Sequence, residues 1–188
     1  MKFLTFLLIT FTLSFANTVS IDYNASKVNF KVSNMWLNHV SGTFKSFDAD
    51  INYDTTNHLI RSLKATINAQ SIFTDMDSRD DSLRGKDYLK ADYFPQIRFE
   101  MYEIFNNHIV GYLTILDNKK PISILIKELS FKGNDMTLLL EGELDRNEYG
   151  ISTSSYFLIG KMVKFTITIK GTLDAKTPTA EATASPSS

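Results

Sequence analysis

The residues that could do chemistry are sparse in this chain and poorly spaced for it. His39, His58 and His108 are its three histidines, far apart and each beside turn-forming residues. None pairs with another at helical metal-ligand spacing, and without cysteine a tetrahedral site would need distant carboxylates. A solvated surface role fits each of them better than ligation. Ser152-Thr153-Ser154-Ser155 has no nearby base and opens no helix, and the chain lacks a Gly-x-Ser-x-Gly elbow or a glycine-rich phosphate loop. The carboxylate pairs Asp75/Asp77 and Asp80/Asp81 fall where a helix should start, which explains them without catalysis. The absence of cysteine further excludes disulfides, thiol catalysis and thiol acylation. No catalytic residue, metal ligand or cofactor site is assigned, and a protein that is not an enzyme is expected.

The elements around these residues are mostly strands. With 188 residues, one domain is expected, large enough for a sizeable core. Lys and Arg total 20 against 21 Asp and Glu, so no basic field invites nucleic acid. Fourteen Phe and eight Tyr against four Pro favour a β-rich globule. Val28, Phe30 and Val32 share one face and Lys27, Asn29 and Lys31 the other, the period of a half-buried strand. The same alternation returns at Phe47–Tyr53, Leu59–Ala69 (interrupted by Arg61), Ile97–Phe105, Ile109–Leu116 and Ile122–Lys127, and most clearly at Val163–Lys170. Asn106-Asn107 suits a tight hairpin, and turns are expected at Asp117–Lys120 and Gly133–Asp135. About eight strands at this spacing read as an all-β barrel or sandwich.

Residues 79–99 break the alternation. Asp77 and Ser78 can cap a helix whose first turn holds Asp80 and Asp81, Leu83, Tyr88 and Leu89 give it an apolar side, and Pro95 forbids its extension. A short helical segment around residues 78–90 is expected, delivered between two strands of one sheet, where it could close a barrel end.

The ends differ from the middle. Lys2, the apolar run Phe3–Phe15 and the small residues Ser14 and Ala16 read as a signal peptide over residues 1–16, cleaved after Ala16. The run is short for a membrane span, so no stable anchor is expected and the location is periplasmic or secreted. Residues 17–173 form the domain, and residues 174–188, rich in Thr, Ala, Pro and Ser, read as a disordered tail. Asn24, in Asp22-Tyr23-Asn24-Ala25-Ser26, fits an acceptor site for N-glycosylation and equally a turn.

Three blocks carry a resemblance. Arg79-Asp80, Leu83, Asp87, Tyr88, Phe94-Pro95 and Ile97-x-Phe99 resemble the signature of the YceI-like family. Phe30–Met35 with Val40–Phe44, and Arg146-x-x-Tyr149-Gly150, are similar to two further blocks of that family, so the resemblance spans roughly residues 21–173. It implies a lipocalin-like antiparallel eight-stranded β-barrel, exported to the periplasm. The implied ligand is a long-chain isoprenoid, an isoprenoid quinone or a fatty-acyl lipid held in the lumen. The lining it implies is Phe30, Val32, Met35, Trp36, Phe44, Leu83, Phe94, Ile97 and Phe99, with Asn34, Asp80 and Arg146 toward the ligand head. Arg79 and Ser82 are the other polar candidates there. The family often has His at the positions of Asn34 and Ser82, and their neutrality here makes an uncharged head easier to accommodate. From the residues alone, Phe30 and Phe99 would look the same in a fully packed core. A ligand-free structural or interaction module outside the cytoplasm therefore stands as the alternative, and a homodimer stays open.

Overall fold

The computed structural model describes residues 16–34, 39–151 and 159–174. Alternating segments become strands: β1 (Ala16–Ile21), β2 (Lys27–Asn34), β3 (His39–Phe44), β4 (Phe47–Asp54), β5 (Leu59–Asn68), β6 (Ile72–Phe73), β7 (Gln96–Phe105), β8 (His108–Ile115), β9 (Asn118–Lys132), β10 (Asp135–Asp145) and β11 (Ile159–Leu173). Every pairing among them is antiparallel, and the order β1-β4-β5-β7-β8-β9-β10-β11 closes on itself through β1 and β11. This is the expected eight-stranded closed barrel with one short helix.

Two of the eight staves are interrupted strands. β1 and β2 both pair with β11, and β4 and β3 pair with β1 and β2 in turn. The first interruption is built from side chains. Asp22 accepts from the backbone N–H of Asn24 (3.0 Å) and Ala25 (3.1 Å). The Ser26 hydroxyl donates to Lys170 O (3.2 Å) and accepts from Lys170 N (2.9 Å), replacing a ladder bond. Asn24 is exposed, whereas Ser26 is buried in this exchange.

The hairpins follow their turn chemistry. Asn106 and Asn107 both have positive φ, the geometry that matches strand twist in a two-residue turn. The next turn centres on Leu116-Asp117, also at positive φ, so Asn118, Lys119 and Lys120 belong to β9 rather than to the turn expected over 117–120. Pro121 is tolerated in β9 because β10 joins that strand only from Leu125 onward, leaving Pro121 an edge-like position. Ile51, Ile60, Ile109 and Leu138 are among the most deeply buried residues of the core between the staves.

The helix α1 spans Asp77–Arg84, shorter than the segment expected over 78–90. Its N-cap is Met76, and no side chain caps it. Asp77 and Asp80 lie in its first turn, as their charge favours. Past Gly85 the chain continues in turns, with Leu89 N bonded to Leu83 O (3.0 Å) and Ala91 N to Arg84 O (2.9 Å). Among the described residues no helix is long and apolar enough to cross a membrane. The expected signal peptide (apart from Ala16, which begins β1), the tail beyond Asp174 and the positions of Met35 and Trp36 lie outside the described residues.

Candidate ligand-binding site

The alternating faces turn their apolar side chains inward without filling the barrel. A cavity of about 280 Å³ remains, near the small end of ligand sites. Glycines keep it open. Phe30, Phe99 and Phe165 each lie against a glycine on a neighbouring strand, namely Gly42, Gly111 and Gly142. A Cβ at Gly142 would come within 2.4 Å of the Phe165 ring, and one at Gly42 within 2.4 Å of the Phe30 ring. With no Cβ there, the rings rest on the barrel wall instead of projecting across the lumen. Phe30 also packs against Phe44 with ring centroids 5.6 Å apart.

One end of the cavity is covered by the insert between β5 and β7, from which Arg79, Ser82, Leu83, Tyr88 and Leu89 reach the lining. Strand direction places the β8–β9 turn and the β10–β11 connection at this same end. Three side chains pin the insert. Arg79 Nε donates to Thr74 Oγ1 (2.6 Å), and its Nη2 donates to Thr74 O. Asp80 accepts from Thr74 N (2.9 Å) and from the Thr74 hydroxyl. Arg84 donates to Gln70 O (2.9 Å) and Ile72 O (2.8 Å). Arg79 and Asp80 thus meet through Thr74.

At the β10–β11 connection a 3-10 turn, Arg146–Tyr149, follows Asp145, whose side chain accepts from Asn147 N (3.0 Å). Gly150 ends it at φ 76°, a left-handed position that glycine adopts without strain. Arg146 is 5% exposed and lines the cavity. Its guanidinium donates to Gly160 O (3.1 Å), Ile151 O (2.6 Å) and Ile159 O (3.2 Å), all backbone carbonyls. Tyr149 is buried beside it. Burial, then the charge of Glu148, pushes its phenol up to about 12.

Nine of the positions named from the sequence line the cavity: Phe30, Val32, Phe44, Arg79, Ser82, Leu83, Ile97, Phe99 and Arg146. Two do not. Phe94 packs against the core outside the lining. Asp80, expected at the ligand head or in water, is 2% exposed and spends its carboxylate on Thr74, so it anchors the insert. Asn34 ends β2, and its side chain, with Met35 and Trp36, lies outside the described residues. Sequence reasoning passed over Phe165, Ile167 and Ile169, although the alternation of β11 put them on one face. Among the described residues no cluster of His, Asp and Glu could hold a metal. The described cavity wall is apolar apart from Asn29, Ser33, Arg79, Ser82 and Arg146.

The YceI-like domain family matches residues 20–173. A UPF0312 protein of Staphylococcus aureus is 29% identical over 151 residues, which cover 74% of this chain and 88% of that protein. The crystal structure of Burkholderia cenocepacia BcnA superposes with a TM-score of 0.74 at 21% identity, over 81% of this chain and all (100%) of BcnA. A polyisoprenoid binding domain from Saccharophagus degradans, described as implicated in plant cell wall breakdown, superposes with a TM-score of 0.65 at 11% identity, over 85% of this chain and 99% of that domain.

Proposed function

Since the chain belongs to the YceI-like domain family, we propose that it is a non-catalytic binding protein that carries a long apolar lipid in its barrel, outside the cytoplasm. The observation that carries this reading is the apolar lumen of about 280 Å³ left open beneath the α1 insert. Each methylene moved from water into such a lumen gains about 0.8 kcal/mol, so an isoprenoid or acyl chain needs few polar contacts to be held. The structural likeness to a polyisoprenoid binding domain supports a ligand of this class. A barrel packed solid would have no use for glycines that seat Phe30 and Phe165 against the wall.

The test is organic extraction and mass spectrometry of protein purified natively from its own host. The expected result is a lipid released from the protein, with the stripped barrel able to take up a hydrophobic fluorescent probe. N-terminal sequencing of that material is expected to begin at Asn17. Met1 retained in the membrane fraction would contradict export.

A further inference from the structure

We propose that the barrel selects amphiphiles with an anionic head, and that Arg146 is the residue that binds the head. This rests on the lipid-binding reading and adds the charge of the ligand.

Burying a charge without a partner is costly, and proteins normally answer a buried cation with a carboxylate. Arg146 is 5% exposed, yet each of its hydrogen bonds runs to a backbone carbonyl. Among the described residues no acid forms an ion pair with it. The neighbouring acid, Asp145, caps Asn147 and faces Lys161 at 3.6 Å. The remaining stretches supply almost no acid, since residues 1–15, 35–38 and 152–158 contain no Asp or Glu and residues 175–188 contain only Glu181. Nor does the cavity wall. Its described lining holds Arg79 and Arg146 and no carboxylate.

The two arginines are not equivalent. Arg79 is linked through the Thr74 hydroxyl to the buried Asp80, so its charge is answered inside the protein. Arg146 has five N–H groups, of which three point at carbonyls, leaving donors and a full positive charge beside an apolar space. A carboxylate or phosphate at the end of an apolar chain would supply the missing charge, and either accepts a guanidinium fork well. An alcohol or amide would leave the charge as it is. An anionic head is the opposite of the uncharged head expected from Asn34 and Ser82.

The experiment uses the stripped full-length protein and displacement of a hydrophobic fluorescent probe at neutral pH. The competitors share one chain length: palmitic acid, hexadecyl phosphate and hexadecanol. The acid or the phosphate is expected to bind roughly tenfold to a hundredfold more tightly than the alcohol, as hydrogen bonds to a charged group imply. Which of the two binds more tightly identifies the head. In Arg146→Met that preference is expected to vanish while hexadecanol affinity holds, and retained alcohol binding shows that the cavity is intact. If the variant fails to fold, the wild-type ratios decide. Equal binding of all three overturns the anionic-head inference and leaves lipid binding standing. No binding of any overturns both.

Discussion

The barrel buries charge at both ends and treats it differently. At the end that carries the β4–β5 turn, Asp54 is fully buried and surrounded by donors: Thr56 N, Asn57 N, Asn57 Nδ2 and the Arg61 guanidinium. Asn57 foremost, with Arg61, holds its carboxyl well below the usual carboxylate range. At the end covered by α1, Arg146 is also withdrawn from water, at 5% exposed, but its hydrogen bonds go only to carbonyl dipoles. The first arrangement is neutralised within the protein and closes the turn between β4 and β5. The second holds a loop and leaves charge over beside the cavity. A buried charge that the fold has already answered points to architecture, and one left unanswered beside a cavity points to a ligand.

The contrast can be broken from the structural side first. Asp54→Asn is expected to cause the largest loss of melting temperature in this set, because Arg61 and the turn donors lose their anion, while lipid retention in the folded fraction stays unchanged. A fall in retention equal to that of Arg146→Met would erase the distinction between the two ends. The same pair has a pH signature. Because the folded carboxyl of Asp54 titrates below its unfolded value of about 3.9, its stabilisation is present above that pH and is lost as pH falls further. Thermal melts of the wild type should therefore drop steeply below about pH 4, and those of Asp54→Asn should drop less.

The cavity side gives smaller effects. Gly142→Ala puts a methyl group where the Phe165 ring lies, so the ring must move into the lumen. About 1–3 kcal/mol of stability should be lost by overpacking, and lipid per chain should fall. Unchanged lipid content, measured by mass spectrometry, would show that the glycines do not set the free volume. Leu83→Ala, in the half-buried cover, should cost only about 1 kcal/mol and chiefly speed ligand release in a stopped-flow chase. A release rate equal to the wild type would mean that the insert does not gate the site.

Much of the barrel was legible because strand period is local. Val28, Phe30 and Val32 show their inward face in three alternate positions, and Pro95 marks where the insert must end. What was not legible depends on register. Gly142 means little until β10 and β11 are aligned so that it faces Phe165. Asp80 read as a head-group residue because nothing local says that Thr74, six positions earlier, will claim its carboxylate. Arg146 stood out by its motif, but its lack of an acid partner is a property of three dimensions. Phe94, beside Pro95, looked like lining and instead packs outside it, since the turns after Gly85 carry it past the cavity.

The most direct test of the account is native mass spectrometry of the protein purified from its own host without detergent. One lipid per chain, released by organic solvent and replaceable in the stripped barrel, is the expected result. A bare polypeptide mass, together with a stripped protein that takes up no hydrophobic probe, would contradict it.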